Sequence, residues 1–168
     1  MTQPKLKDLH TISFLVANKP GVLVRIALAF ARRGFNIDSL VVSPTVNPKF
    51  SRMTITAQGS PETLDQIIKQ AAKLIDVIHA SEHTLADSIE KEMALVKIKY
   101  KPQIKGALEK LLKRYHAHLI DSSSNTRIIE QTGSTTELDS LEEELKKFGI
   151  IEMVRTGKLV MVRGHEAT

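Results

Sequence analysis

One apolar pattern is written twice along this chain, and that repeat limits the fold more than any other feature. In HTISFLVA (10–17), Ile12, Phe14 and Val16 fall at alternate positions, the period of a strand. Asn18-Lys19-Pro20-Gly21 turns the chain, and Val22, Ile26 and Phe30 then recur at four-residue spacing until Gly34 stops the helix. FNIDSLVVS (35–43) predicts a second strand, with Phe35, Ile37 and Val41 on one face and Asn36 and Asp38 on the other. After a proline-containing turn at 44–49, Met53, Ile55 and Ala57 mark a third strand. Ser60 as cap and Pro61 at the first helical position open a second helix, striped by Leu64, Ile67, Ile68 and Ala71. LIDVIHA (74–80) predicts a fourth strand.

A polar connector from Glu82 to Lys91 leads into the second copy. MALVKIKY (93–100) predicts a strand, and a helix follows Pro102 with Ile104, Leu108, Leu111, Leu112 and Tyr115 on one face. AHLID (117–121) and TRIIEQT (126–132) flank a turn at Ser122 to Asn125. Ser134 with Glu137 forms a capping box for a helix striped by Leu138, Leu141, Leu145 and Phe148 and stopped by Gly149. IIEMVRTG and KLVMVR supply one or two closing strands. Both copies therefore read β-α-β-β-α-β. The expected fold class is α+β, two tandem ferredoxin-like domains over 1–88 and 89–168, each a four-stranded antiparallel sheet with two helices on one face. The other face of each sheet is left for a partner or for the second domain to cover.

Composition removes several chemistries. Cysteine is absent from all 168 residues, so disulfides, thiolate metal sites and cysteine nucleophiles are excluded. No apolar stretch approaches the roughly 18 residues of a membrane span and the N-terminus has no signal-like core, which predicts a soluble cytoplasmic protein. The net charge of +5 is not concentrated: residues 1–88 carry 10 basic and 7 acidic groups, and residues 89–168 carry 14 and 12. Interspersed signs describe a solvated surface rather than a nucleic-acid footprint. RNA-binding domains share this element order but stack bases on third-strand aromatics, and FSRMTITA offers only Phe50. GVLVR (21–25) resembles the phosphate loop of acylphosphatases faintly, yet Arg25 falls inside a helix. No G-x-S-x-G, Walker A, G-x-G-x-x-G or H-E-x-x-H motif occurs. Among the histidines, only His116 with His118, expected on one strand face, and His79 with His83 have spacings that could chelate a metal, and no carboxylate spacing supports them. No catalytic or metal site is expected.

The turn ANKPGVLVR (17–25) carries the one suggestive constellation. Gly21 sits where a helix begins, so unpaired backbone N–H groups and the positive end of the helix dipole suit a carboxylate. The Asn36 amide, on the next strand, can donate to a carboxylate and accept from an ammonium group. Together they fit a free amino acid. A plain turn is the competing reading, with Asn18 as its cap, Pro20 as the helix start and Gly21 allowing close packing.

NKPGVLVRIALAFARRGFNIDSLVVSPT (18–45) resembles the ACT domain of the regulatory small subunit of acetolactate (acetohydroxyacid) synthase. SRMTI (51–55), KQAAKLIDV (69–77), EMALVKIK (92–99), LID (119–121), TG (132–133) and EMVRTGKLVMVRG (152–164) resemble the same family in the same order. The resemblance implies an N-terminal ACT domain, a C-terminal ACT-like domain, and a homodimer whose N-terminal sheets join side by side. It implies a branched-chain amino acid effector, most often valine in this family, bound at the interface between ACT domains. By match, Asn18, Gly21, Asn36 and Ile37 form that site, with Val22 and Val24 beside them; Val24 stands where family members often carry serine, which would re-tune binding. The chain itself would carry no cofactor. Thiamine diphosphate, magnesium and FAD would belong to a separate catalytic subunit, its partner. A free-standing ACT sensor controlling another enzyme or a transcription complex shares the Gly21 and Asn36 site; the EMVRTG signature separates the two.

Overall fold

A computed structural model of the chain describes residues 9–165 and Thr168. The described residues form two compact units, one of residues 9–90 together with 157–165 and Thr168 and the other of residues 91–156. The expected boundary gave all of 89–168 to the second domain, whereas here the chain returns to the first unit at Gly157. Among the described residues no helix is long and apolar enough to cross a membrane.

In the first unit, β1 (Leu9–Ala17), α1 (Val22–Ala31), β2 (Ile37–Pro44), β3 (Phe50–Gln58), α2 (Pro61–Ala71) and β4 (Val77–His83) follow the expected order. The sheet is antiparallel in the order β2-β3-β1-β4. Alternation places Ile12, Phe14 and Val16 of β1 and Met53, Ile55 and Ala57 of β3 on one face, where they bury against Val22, Ile26 and Phe30 of α1 and Leu64, Ile67 and Ala71 of α2. Burying such side chains stabilises a core by about 1.5–3 kcal/mol each. Ser60 caps α2 as expected, its Oγ accepting the N–H of Thr63 at 3.4 Å.

Strand β2 departs from simple alternation. Its register against β3 shifts between Ile37 and Ser39, so Phe35, Ile37 and Leu40 all pack on the core. Val41 falls on the opposite face, a correction to the expected grouping. The extra residue of a bulge reverses the facing of everything after it. Asn36 lies just before the strand, exposed, with its Nδ2 3.3 Å from Asp38 Oδ1.

The opposite face of this sheet is polar but buried. Thr11, Ser13, Thr54, Thr56 and His83 are all under 9% exposed. Ser13 Oγ lies 2.6 Å from His83 Nε2, and Ser39 Oγ lies 2.6 Å from Thr56 Oγ1. Lys158 reaches Thr11 at 3.3 Å and pairs with Glu90 at 2.6 Å.

In the second unit the connector proves short, because β4 runs on to His83 and β5 (Ser88–Lys99) begins before the boundary. A single 3₁₀ turn (Pro102–Ile104), α3 (Lys105–Tyr115), β6 (His118–Ser122), β7 (Thr126–Gly133), α4 (Thr135–Lys146) and β8 (Ile150–Arg155) follow. The strand order is β6-β7-β5-β8; β9 (Leu159–Val162), in the segment that returns to the first unit, pairs with β5 off this path. Ala94, Val96, Ile98 and Ile129 bury against Leu108 and Leu111 of α3 and Leu138, Leu141 and Leu145 of α4. The Ser134–Glu137 capping box forms in full. His116 is not on a strand: it caps α3 in the left-handed region at φ 51°, so it shares no strand face with His118. Among the described residues no three acidic or histidine side chains gather as a metal site would need.

Candidate functional site

The turn between β1 and α1 folds as it does because Gly21 is the helix N-cap at φ +84°, a left-handed conformation that glycine adopts without strain. Pro20 therefore precedes the helix instead of starting it. Asn18 is not the cap either, since its Nδ2 donates to Pro48 O at 3.0 Å, tying this turn to the one between β2 and β3. No side chain caps α1, and its first turn contains no acidic residue. Arg25 N–H donates to Gly21 O at 3.2 Å, so the N–H groups of Leu23 and Val24 precede the intrahelical ladder. Such a helix start offers donors and positive potential to a carboxylate.

A cleft of about 280 Å³ opens at this helix start. Asn18, Lys19, Pro20 and Gly21 form its rim, and Val16, Val22, Leu23, Val42 and Met53 give it an apolar wall. Ser51 also lines it. Outside the lining, Asp76 is shared by two cations, with Arg25 Nη2 at 2.5 Å and Lys19 Nζ at 3.7 Å. One carboxylate between two cations leaves the mouth net positive.

Of the residues expected to bind an effector, the cleft brings together Asn18, Gly21 and Val22. Val22 is only 2% exposed, so what it offers a ligand is chiefly backbone. Val24 faces outward at 59% exposure and does not line the cleft. Ile37 packs on the core, and Asn36 lies at the far end of α1, about 15 Å away by helix rise. Within one copy of the chain, Asn36 and Ile37 do not reach the cleft. Val42, Ser51 and Met53 were missed by reasoning from the turn alone. The available signal was Ser51 itself, a polar residue in register with Met53 and Ile55 on an apolar strand face.

Residues 12–79 match the model of the AHAS small subunit-like ACT domain, and residues 91–164 match that of the small subunit of acetolactate synthase. A probable acetolactate synthase small subunit of Archaeoglobus fulgidus is 43% identical over 157 residues, covering 94% of this chain and 98% of the relative. The acetolactate synthase small subunit of Mycolicibacterium smegmatis is 39% identical over 155 residues, covering 92% of this chain and 91% of the relative. The crystal structure of the acetolactate synthase small subunit from Thermotoga maritima superposes with a TM-score of 0.85 at 36% identity, over 94% of this chain and 99% of that one. With both halves of the chain and its fold matched, it belongs to the family of acetolactate synthase small subunits.

Proposed function

We propose that this chain is a non-catalytic regulatory subunit that binds an acetolactate synthase catalytic subunit, supports its activity, and withdraws that support when a branched-chain amino acid, valine first, fills the cleft at α1. The observation that carries the reading is the uncapped start of α1 opening onto an apolar cleft. Backbone donors suit the effector's carboxylate, and the exposed Leu23 and Val42 side chains in the lining suit an aliphatic side chain. The carbon–carbon bond chemistry, with thiamine diphosphate, magnesium and FAD, is assigned to the catalytic partner.

The position of Asn36 favours a homodimer. β2 is an edge strand, and an edge strand offers a free row of backbone groups to a second copy. A two-fold antiparallel pairing of β2 with β2 would set Asn36 of each copy beside Val42 to Pro44 of the other, completing each cleft across the interface. Effector bound there would bias any pair of assembly states in which the interface differs, a coupling worth typically about 1–3 kcal/mol.

The test is acetolactate formation by the catalytic subunit of the same organism, alone, with this chain, and with valine titrated in. Stimulation reversed by valine supports the whole reading. Stimulation that valine leaves untouched keeps the subunit and removes the effector; no stimulation with both proteins folded removes the subunit and leaves a free-standing sensor. Gly21→Asp, which puts a carboxylate where the effector's own would sit, should abolish the valine response, and Asn36→Ala should weaken it.

A further inference from the structure

The cleft at α1 has donors for a carboxylate but no acidic side chain in its lining. An amino acid also brings an ammonium group, which must find neutral acceptors or stay in water. The side-chain acceptors in the lining are Asn18 and Ser51. Asn18 spends its Nδ2 on Pro48 O, which leaves Oδ1 to accept. Ser51 is the more telling of the two. It is 5% exposed, it lies on β3 between Val16 of β1 and Pro44 of β2, and its hydroxyl makes no hydrogen bond among the described residues. The hydroxyl is not itself sealed off: it lines the cleft with its hydrogen-bonding capacity unspent on the protein, free to accept from a ligand group that takes the place of water.

We infer that the Ser51 hydroxyl, with Asn18 Oδ1, accepts from the α-ammonium of the effector and so selects an amino acid over the corresponding carboxylic acid. The inference rests on the effector reading of this cleft and adds the group that recognises the nitrogen. The division of labour is then spatial. Backbone N–H groups at the helix start hold the carboxylate, Ser51 and Asn18 hold the ammonium, and Leu23 and Val42 flank the side chain.

The experiment measures valine binding to the full chain by calorimetry, and binding of 3-methylbutanoate, which lacks the ammonium group, by competition against valine. Ser51→Ala should weaken valine about tenfold while leaving 3-methylbutanoate within roughly twofold, because a hydrogen bond to a charged group is lost from one ligand only. Ser51→Thr keeps the oxygen and should preserve the preference for valine over the acid even where crowding weakens both. Unfolding curves for each variant identify any loss that is merely structural. Equal weakening of both ligands by Ser51→Ala, or unchanged valine affinity in that variant while Gly21→Asp abolishes binding, would overturn the inference and leave the effector site standing. If the wild-type chain binds none of valine, leucine and isoleucine, the effector reading fails and this inference with it.

Discussion

Gly157 lies against Ser39 so closely that a Cβ built on it would stand 2.7 Å from the serine Cβ and 2.8 Å from its Oγ. Ser39 cannot easily yield, since its hydroxyl lies 2.6 Å from Thr56 Oγ1 on the neighbouring strand. Gly157 also holds φ +83°, which a side chain disfavours independently of space. The glycine of the EMVRTG signature is thus where the returning chain lies on the polar face of the first sheet, held next by the Lys158–Glu90 pair.

Gly157→Ala should therefore destabilise the chain by about 2 kcal/mol, from the left-handed backbone and the forced contact together. Urea unfolding of the full chain measures this. A loss below about 0.5 kcal/mol would show that the segment shifts off the sheet at little cost.

The arginine two residues earlier has a different task. Arg155 holds Glu92 through Nη2 at 2.7 Å and Nε at 3.2 Å, and Asp139 through Nη1 at 2.5 Å, while the Thr135 hydroxyl donates to the other Glu92 oxygen. The Glu92 side chain is 7% exposed, so removing the guanidinium leaves a nearly buried carboxylate without its counter-charge. Arg155→Leu should cost about 3 kcal/mol, and adding Glu92→Gln should restore part of it, because the cost lies in the orphaned charge more than in the lost contact. A double-mutant cycle of unfolding free energies checks this; additive losses would deny the coupling.

Local chemistry explains which features could be read from the sequence. Strands β1 and β3 alternate cleanly, and the caps at Ser60 and Ser134 are signalled within four residues, so these elements follow from short-range rules. The bulge near Asp38 carries no such mark, and it alone moves Leu40 inward and Val41 outward. The return of residues 157–165 depends on tertiary partners such as Ser39 and Thr11, far away in sequence. The cleft divides the same way. Gly21 announces its positive φ by being glycine in a turn, whereas Val42 and Ser51 come from two other strands and meet it only after the sheet forms.

His83 gives the first unit a pH dependence. Burial holds its pKa below the ordinary histidine value, with Arg52 and His79 acting in the same direction and Asp87 and Glu90 opposing them. The folded protein thus binds this proton less readily than the unfolded chain does. Stability is full above the unfolded pKa of about 6.5 and falls as the pH drops through and below it. His83→Gln, which can still meet the Ser13 hydroxyl, should flatten the decline between pH 7 and pH 5. An unchanged slope in that variant would assign the titration to other groups.

Val42 should control which aliphatic side chain the cleft prefers. It lines the cleft on edge strand β2 and remains 42% exposed, so shortening it enlarges the wall without hollowing the core. Val42→Ala should weaken valine and improve leucine, because one methylene in an apolar pocket is worth about 1–3 kcal/mol and the added space fits the longer chain. Binding of valine, isoleucine and leucine to both proteins measures the exchange, and leucine should gain on valine by roughly tenfold. Parallel weakening of all three would mean that Val42 supports the edge-strand pairing instead of touching the side chain, and a dimer dissociation constant for the variant would then show the loss directly.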